Sequence, residues 1–171
     1  RFIDEEDGVL LTGTPGLGKT HFRNYVLLRL LQEARLNGTA RIVVMGCSGT
    51  SAAVVFEVDG FGTVRVSEVD EVKEVKKWKN FHDPNVYWLI DVSKGSIGPY
   101  RALARTKLFS SPNEDLINST FRGVGDRVFV MPLWEAQELR LACQIILGRD
   151  WTAAEETTLV NYGYLPRLLF P

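Results

Sequence analysis

The chain is poor in the residues that build covalent or metal frameworks: two cysteines, Cys47 and Cys143, and two histidines among 171 residues. Two thiols are too few for a disulfide scaffold, and no Cys/His cluster with ligand spacing surrounds them. They read as buried thiols of a reducing compartment. No apolar run approaches the ~18 residues of a membrane-crossing helix, which argues against a membrane partner. No secretory signal opens the sequence. Charge of one sign is also lacking. Twenty Lys and Arg stand against 21 Asp and Glu, a net of −1. No basic field therefore points to nucleic acid, and no acidic tail points to a basic partner. There is no internal repeat and no low-complexity tract. The first residue is Arg1, not methionine, so a piece of a longer chain is expected, with any targeting segment upstream.

What remains is ordinary globular material, 45% hydrophobic and 24% charged, which excludes disorder, collagen and coiled coil. The length suits about one domain, able to bury roughly 70% of its unfolded surface. Val9–Thr12 reads as a short buried strand, followed by a glycine-rich turn. A helix is expected from Thr20 to about Leu36, largely buried because its apolar residues surround most of the axis. It is stopped by Asn37-Gly38. Arg41–Gly46 is a second strand. Ala53–Val58 and Thr63–Val66, flanking Asp59-Gly60-Phe61-Gly62, read as a hairpin. Residues 67–80, with Lys73, Lys76, Lys77 and Lys79 among acids, read as a solvated helix or loop. Further strands are expected at Val86–Asp91, Lys107–Ser111 and Val128–Met131. Leu139, Ala142, Cys143 and Ile146 form one helical stripe. A last helix runs from about Ala153 to Tyr162 with Thr152 as its N-cap. Strands alternating with helices predict an α/β fold. It would have a mostly parallel sheet covered on both faces, an inserted hairpin and a small C-terminal helical lid. The core is expected over residues 1–132 and the lid over 133–171, in one compact unit.

The chemistry concentrates in Gly13-Thr14-Pro15-Gly16-Leu17-Gly18-Lys19-Thr20, which matches the phosphate-loop pattern G-x-x-x-x-G-K-[ST] with a strand before it and a helix after. Glycines let successive N–H groups curl around phosphate oxygens, and the helix N-terminus adds partial positive charge. Lys19 is expected to reach the β- and γ-phosphates, and the Thr20 hydroxyl to ligate Mg²⁺. Asp91, a carboxylate ending a buried strand, is the expected second Mg²⁺ ligand. Val92 follows it where many such ATPases carry a glutamate that activates water. Glu57 or Asp59 of the hairpin is the substitute base to consider. Ser110 and Ser111 end a strand where a γ-phosphate sensor commonly sits; capping a turn is the other reading. Arg167, after a Gly-x-x-Pro turn, is a candidate phosphate contact from the lid. Arg101, Arg105, Arg122 and Arg127 are weaker candidates for a charge-stabilising finger. No N-K-x-D guanine-reading element is present, which favours ATP over GTP.

The segments GVLLTGTPGLGKTHFRNYVLLRL, YWLIDV, KLFSSPNEDLINSTF, VMPLWEAQEL and NYGYLPRLLF together resemble the P-loop NTPase domain of Crinkler effectors of oomycetes and fungi. The retrotransposon hot spot proteins of trypanosomes share that arrangement. The resemblance implies a regulatory ATPase switch related to AAA+ and signalling ATPases, with ATP and Mg²⁺ as ligands. It implies secretion by a pathogen, action in the host cell nucleus, and host protein or nucleic-acid targets reached through modules outside this segment. Carried over by position, it makes Gly13 to Thr20 nucleotide-binding and Asp91 the metal carboxylate. Ser110 or Ser111 becomes the sensor, with Ser111, Lys19 and Asp91 as the catalytic set, and Arg167 the lid contact. Trp134 becomes a packing anchor beside Glu138. Related ATPases complete their sites across subunits, so self-association and slow or assembly-dependent hydrolysis are expected. Three alternatives stay open: a pseudo-NTPase interaction scaffold, a small P-loop kinase, and DNA binding through Lys73–Lys79.

Overall fold

The computed structural model describes residues 8–47, 52–70, 83, 85–92, 105–112, 127–162 and 166. The expectations placed on Lys73–Lys79, Arg101, Arg122, residues 113–122, 163–165 and Arg167 lie outside these residues, as do the side chains of Cys47 and Arg127.

Seven strands form one sheet: β1 (Val9–Thr12), β2 (Arg41–Cys47), β3 (Ala53–Val58), β4 (Val64–Val69), β5 (Val86–Val92), β6 (Thr106–Ser110) and β7 (Arg127–Val130). Their spatial order is β4-β3-β2-β5-β6-β1-β7. The pairs β2–β5, β5–β6, β6–β1 and β1–β7 are parallel. The pairs β2–β3 and β3–β4 are antiparallel, so the hairpin extends one side of the parallel strands. Near-continuous apolar runs form the central strands because both of their faces are covered. In β5, every residue except Asp91 is buried. β4 is exposed from Val64 to Glu68, as an outermost strand partnered on one side. It also takes up Ser67–Val69, which the sequence reading assigned to a solvated charged stretch.

The alternating side chains of these strands build a core on each face. One face gathers Leu10, Val44, Val55, Trp88, Ile90, Val92 and Leu108. The other gathers Val9, Leu11, Val43, Tyr87, Leu89 and Phe109, and α1 (Lys19–Asn37) lays Val26, Leu27 and Leu30 on it. The helix is less buried than its composition suggests: Tyr25, Leu28 and Leu36 are exposed. It rests on one sheet face only, so a single stripe is covered, whatever the other sides carry. Arg41, opening β2, donates from Nη1 to the Leu30 carbonyl at 2.8 Å and lies over the Tyr87 ring, pinning helix to sheet.

Two helices follow the sheet, α2 (Ala136–Leu147) and α3 (Ala153–Tyr162). Leu139, Leu159, Trp134 and Trp151 form their common core, and Cys143 is a buried free thiol. Glu135 and Glu138 close a reciprocal capping box at the start of α2, which satisfies two N–H groups the helix cannot bond itself. Thr152 precedes α3 and is tied to Glu155 through both its backbone N–H and its hydroxyl.

Candidate functional site at the phosphate loop and the end of β5

Parallel strands bring their C-terminal ends to one rim. Register places Leu11 beside Phe109, Phe109 beside Asp91, and Asp91 beside Cys47, a single row across four strands. Asp91 is thus two strands from β1, about 10 Å at ~4.8 Å per strand. The loop at the end of β1 closes that gap by feeding α1 back over the sheet.

The loop follows from its glycines. Gly18 takes φ 94 at the N-cap of α1, a left-handed conformation that a side chain makes unfavourable. Gly13 lies so close to the chain after β7 that a Cβ would sit 3.1 Å from both the Cβ and the carbonyl oxygen of Met131. Thr14 and Pro15 are exposed, Gly16 is half-buried, and Leu17 is buried. Leu17 therefore anchors the loop while Thr14–Gly16 face outward.

Lys19 and Thr20 open the helix. The Lys19 ammonium folds back onto the loop and donates to the carbonyls of Gly13 at 2.6 Å and Thr14 at 2.9 Å. Burial holds this ammonium below the usual lysine pKa, with the negative charge of Asp91 acting in the opposite direction. Thr20 Oγ1 donates to Asp91 Oδ2 at 2.9 Å. The pair therefore offers two hard oxygens side by side. Among the described residues no group of three or more His, Cys, Asp or Glu gathers. Two oxygen donors suit Mg²⁺, which keeps several waters and takes phosphate oxygens to complete its octahedron. The donor set fits that ion.

Two further residues were not singled out for the site by the sequence reading. Arg23, one turn along α1, donates from Nη1 to the Gly46 carbonyl at 3.3 Å and lies 3.9 Å from Asp91 Oδ2. Its signal was present: position 23 shares a helix face with Lys19 and Thr20 at i+4 and i+3. Trp134, expected as a packing anchor, does more than pack: its indole N–H donates to the Leu17 carbonyl at 2.9 Å, tying the segment before α2 to the loop. Only the tertiary fold could bring these residues together.

Other candidates separate. Glu57 stands opposite Ile42 on β2, whereas Asp91 stands opposite Cys47. Five residues of strand, about 16 Å at ~3.3 Å each, lie between those levels. Neither Glu57 nor Asp59 can therefore act as a base at Asp91. Asp59 instead accepts the N–H groups of Phe61 and Thr63, both at 2.9 Å, and shapes the hairpin turn. Arg105 precedes β6 at that same far end, donating to the Tyr87 hydroxyl and stacking on its ring, which removes it as a finger. Arg127 opens β7 beside Val9, also away from the rim. A cavity of about 320 Å³ lined by Arg41, Glu57, Asp59, Arg65 and Asp83 lies at the far end too. Ser110 is buried, and its single hydroxyl hydrogen has two carbonyl acceptors within reach, Ser111 at 2.9 Å and Val92 at 3.3 Å. Ser111 lies past the strand end and is exposed, at the same rim as Asp91. Glu138 serves the α2 cap, with its carboxylate accepting the Glu135 N–H at 2.7 Å.

No protein-family model and no solved structure matches the chain. Among the described residues, no helix is long and apolar enough to cross a membrane. Over 134 residues, 76% of the chain, it is 32% identical to Crinkler effector protein 15 of Phytophthora infestans. Crinkler effector protein 16 of the same organism matches with the same identity and extent. The chain spans 19% of the length of each relative. It is thus a distant relative of the Crinkler effector proteins.

Proposed function

We propose that this chain is a P-loop NTPase domain that binds ATP with Mg²⁺ and acts as a regulatory switch within a Crinkler-like effector. The observation that carries the reading is the 2.9 Å hydrogen bond from Thr20 to Asp91. It joins the residue after the phosphate-loop lysine to a carboxylate two strands away, the pairing that holds Mg²⁺ in this class of site. The backbone N–H groups of Gly16–Lys19, at the start of α1, would hold phosphate oxygens. Lys19 would exchange its carbonyl partners for phosphate, a better acceptor for a cation. Thr20 and Asp91 would hold Mg²⁺, which supplies charge neutralisation to the phosphates. Ser111 is the remaining sensor candidate at the rim, and Arg167 the lid candidate. The matched relatives are named effectors, and the proposal extends to a secreted protein acting in a host cell, with the nucleus as the proposed place of action. Self-association and a host protein or nucleic-acid target reached through other modules are part of the same proposal.

A second reading, a pseudo-NTPase scaffold, is favoured by one observation. Val92, where a water-activating glutamate would stand, is 5% exposed and sits in the core, and Glu57 and Asp59 cannot replace it. One experiment separates the two: calorimetric ATP binding together with hydrolysis measured across protein concentration. Binding with a rate per chain that rises on assembly supports the switch. Binding with no turnover at any concentration supports the scaffold. No binding sinks both.

A further inference from the structure

We propose that Arg23 is a positioning residue that acts through Asp91 and suppresses metal binding until nucleotide arrives. The proposal rests on the phosphate-site reading above. Asp91 Oδ2 is shared: the Thr20 hydroxyl bonds it at 2.9 Å, and the Arg23 guanidinium stands 3.9 Å away. Both side chains of that ion pair are mostly covered, at 15% exposure for Arg23 and 24% for Asp91, so solvent screens their charges less than on an open surface. Arg23 is fixed there by the Gly46 carbonyl at the end of β2, the strand that pairs with β5. Its Nε is buried and has no hydrogen-bond partner. What Arg23 supplies is a positive charge held against the carboxylate.

A divalent cation entering alone must displace the Thr20 proton from Oδ2 and sit beside a fixed guanidinium. The like charge lowers its affinity. When the cation arrives with phosphates, their negative charge offsets Arg23, and the same position becomes favourable. Arg23 thereby couples the two ligands: the site takes the metal–nucleotide pair in preference to the free metal.

The test is Mn²⁺ binding to the nucleotide-free chain, followed by electron paramagnetic resonance, with ATP binding measured in parallel. Arg23→Gln should bind Mn²⁺ alone about fivefold or more tighter than the wild type, the lower end of typical coupling between sites. Arg23→Lys, which keeps the charge, should remain near the wild type. Arg23→Met keeps the aliphatic stem without charge and should behave as Arg23→Gln, so the comparison does not hang on one variant's folding. A purely structural role predicts the opposite sign, weaker Mn²⁺ binding as Asp91 loses its support. Uncharged variants that bind Mn²⁺ no better than the wild type, in a chain that still binds ATP, overturn the role of Arg23 alone. A wild type that binds no ATP overturns the phosphate-site reading beneath it.

Discussion

Lys19 donates to two carbonyls of the loop it follows, and its ammonium is partly desolvated. A charge-assisted hydrogen bond contributes about 1.5–3 kcal/mol, so Lys19→Ala should weaken ATP binding by about 10- to 100-fold in calorimetry. Unchanged affinity would remove Lys19 from the site. Asp91→Asn should abolish Mg²⁺-dependent turnover, measured as phosphate release, and full activity in that variant would refute its metal role. A third titratable residue lies away from the rim. Glu155 is held down to about 2 from an ordinary 4.5, first by the Arg149 guanidinium and then by Thr152. A carboxyl with a depressed folded pKa stabilises the fold above its unfolded value, and that contribution is lost as pH falls through the folded one. Wild type should therefore melt above Glu155→Gln near pH 7, and the two curves should converge as pH falls from about 4.5 to about 2. Melting temperatures that differ equally at pH 7 and pH 2 would contradict this. The sequence marked Lys19 and Thr20 by the spacing of their motif, and Asp91 as a carboxylate ending a buried apolar strand. Spacing puts Arg23 on the helix face of Lys19 and Thr20, but that this face meets a carboxylate rather than water was decided by the sheet.

At the scale of elements, the short strands and the helix stop at Gly38 were readable locally. Apolar runs and turn residues carry them, and β1 and β3 begin and end where the residues suggested. The extent of α1 burial was not readable, because burial depends on how many layers a helix touches. Nor was the use of Trp134. Its indole fixes the Leu17 carbonyl, so Trp134→Phe, which keeps a ring but loses the donor, should destabilise by about 1 kcal/mol. It should also loosen the glycine-rich loop, read as faster amide exchange across residues 16–20. An unaltered melting temperature and unaltered exchange would show that this bond ties nothing down. The two C-terminal helices share the small core around Leu139. Leu139→Ala should cost about 2–5 kcal/mol, read by denaturant unfolding; a loss under about 1 kcal/mol would mean the pair is not packed as described.

For the whole molecule, the arrangement of strands matters more than their number. β6 lies between β1 and β5, so the glycine-rich loop after β1 and Asp91 do not sit on neighbouring strands, and α1 must span the gap. The same register sends Glu57, Asp59, Arg105 and Arg127 to the other end of the sheet. Among the described residues, that polarity leaves neither Glu57 nor Asp59 near enough to Asp91 to serve as a base. Hydrolysis, measured as rate per chain against concentration, should therefore be slow in the dilute protein and rise on assembly. A constant rate per chain across a wide dilution range would rule out completion of the site by a second copy.

The sequence by itself determined the local chemistry: a loop that must turn through glycines, a lysine and hydroxyl at a helix start, and a carboxylate at a strand end. These depend on backbone conformation and side-chain type within a few residues. Tertiary structure decided which of the remaining polar residues meet. Strand order and register are set by contacts between distant segments, and a shift of one residue turns every side chain to the other face. That is why Thr20 meets Asp91, why Arg23 stands beside the same oxygen, and why the acids of the hairpin do not.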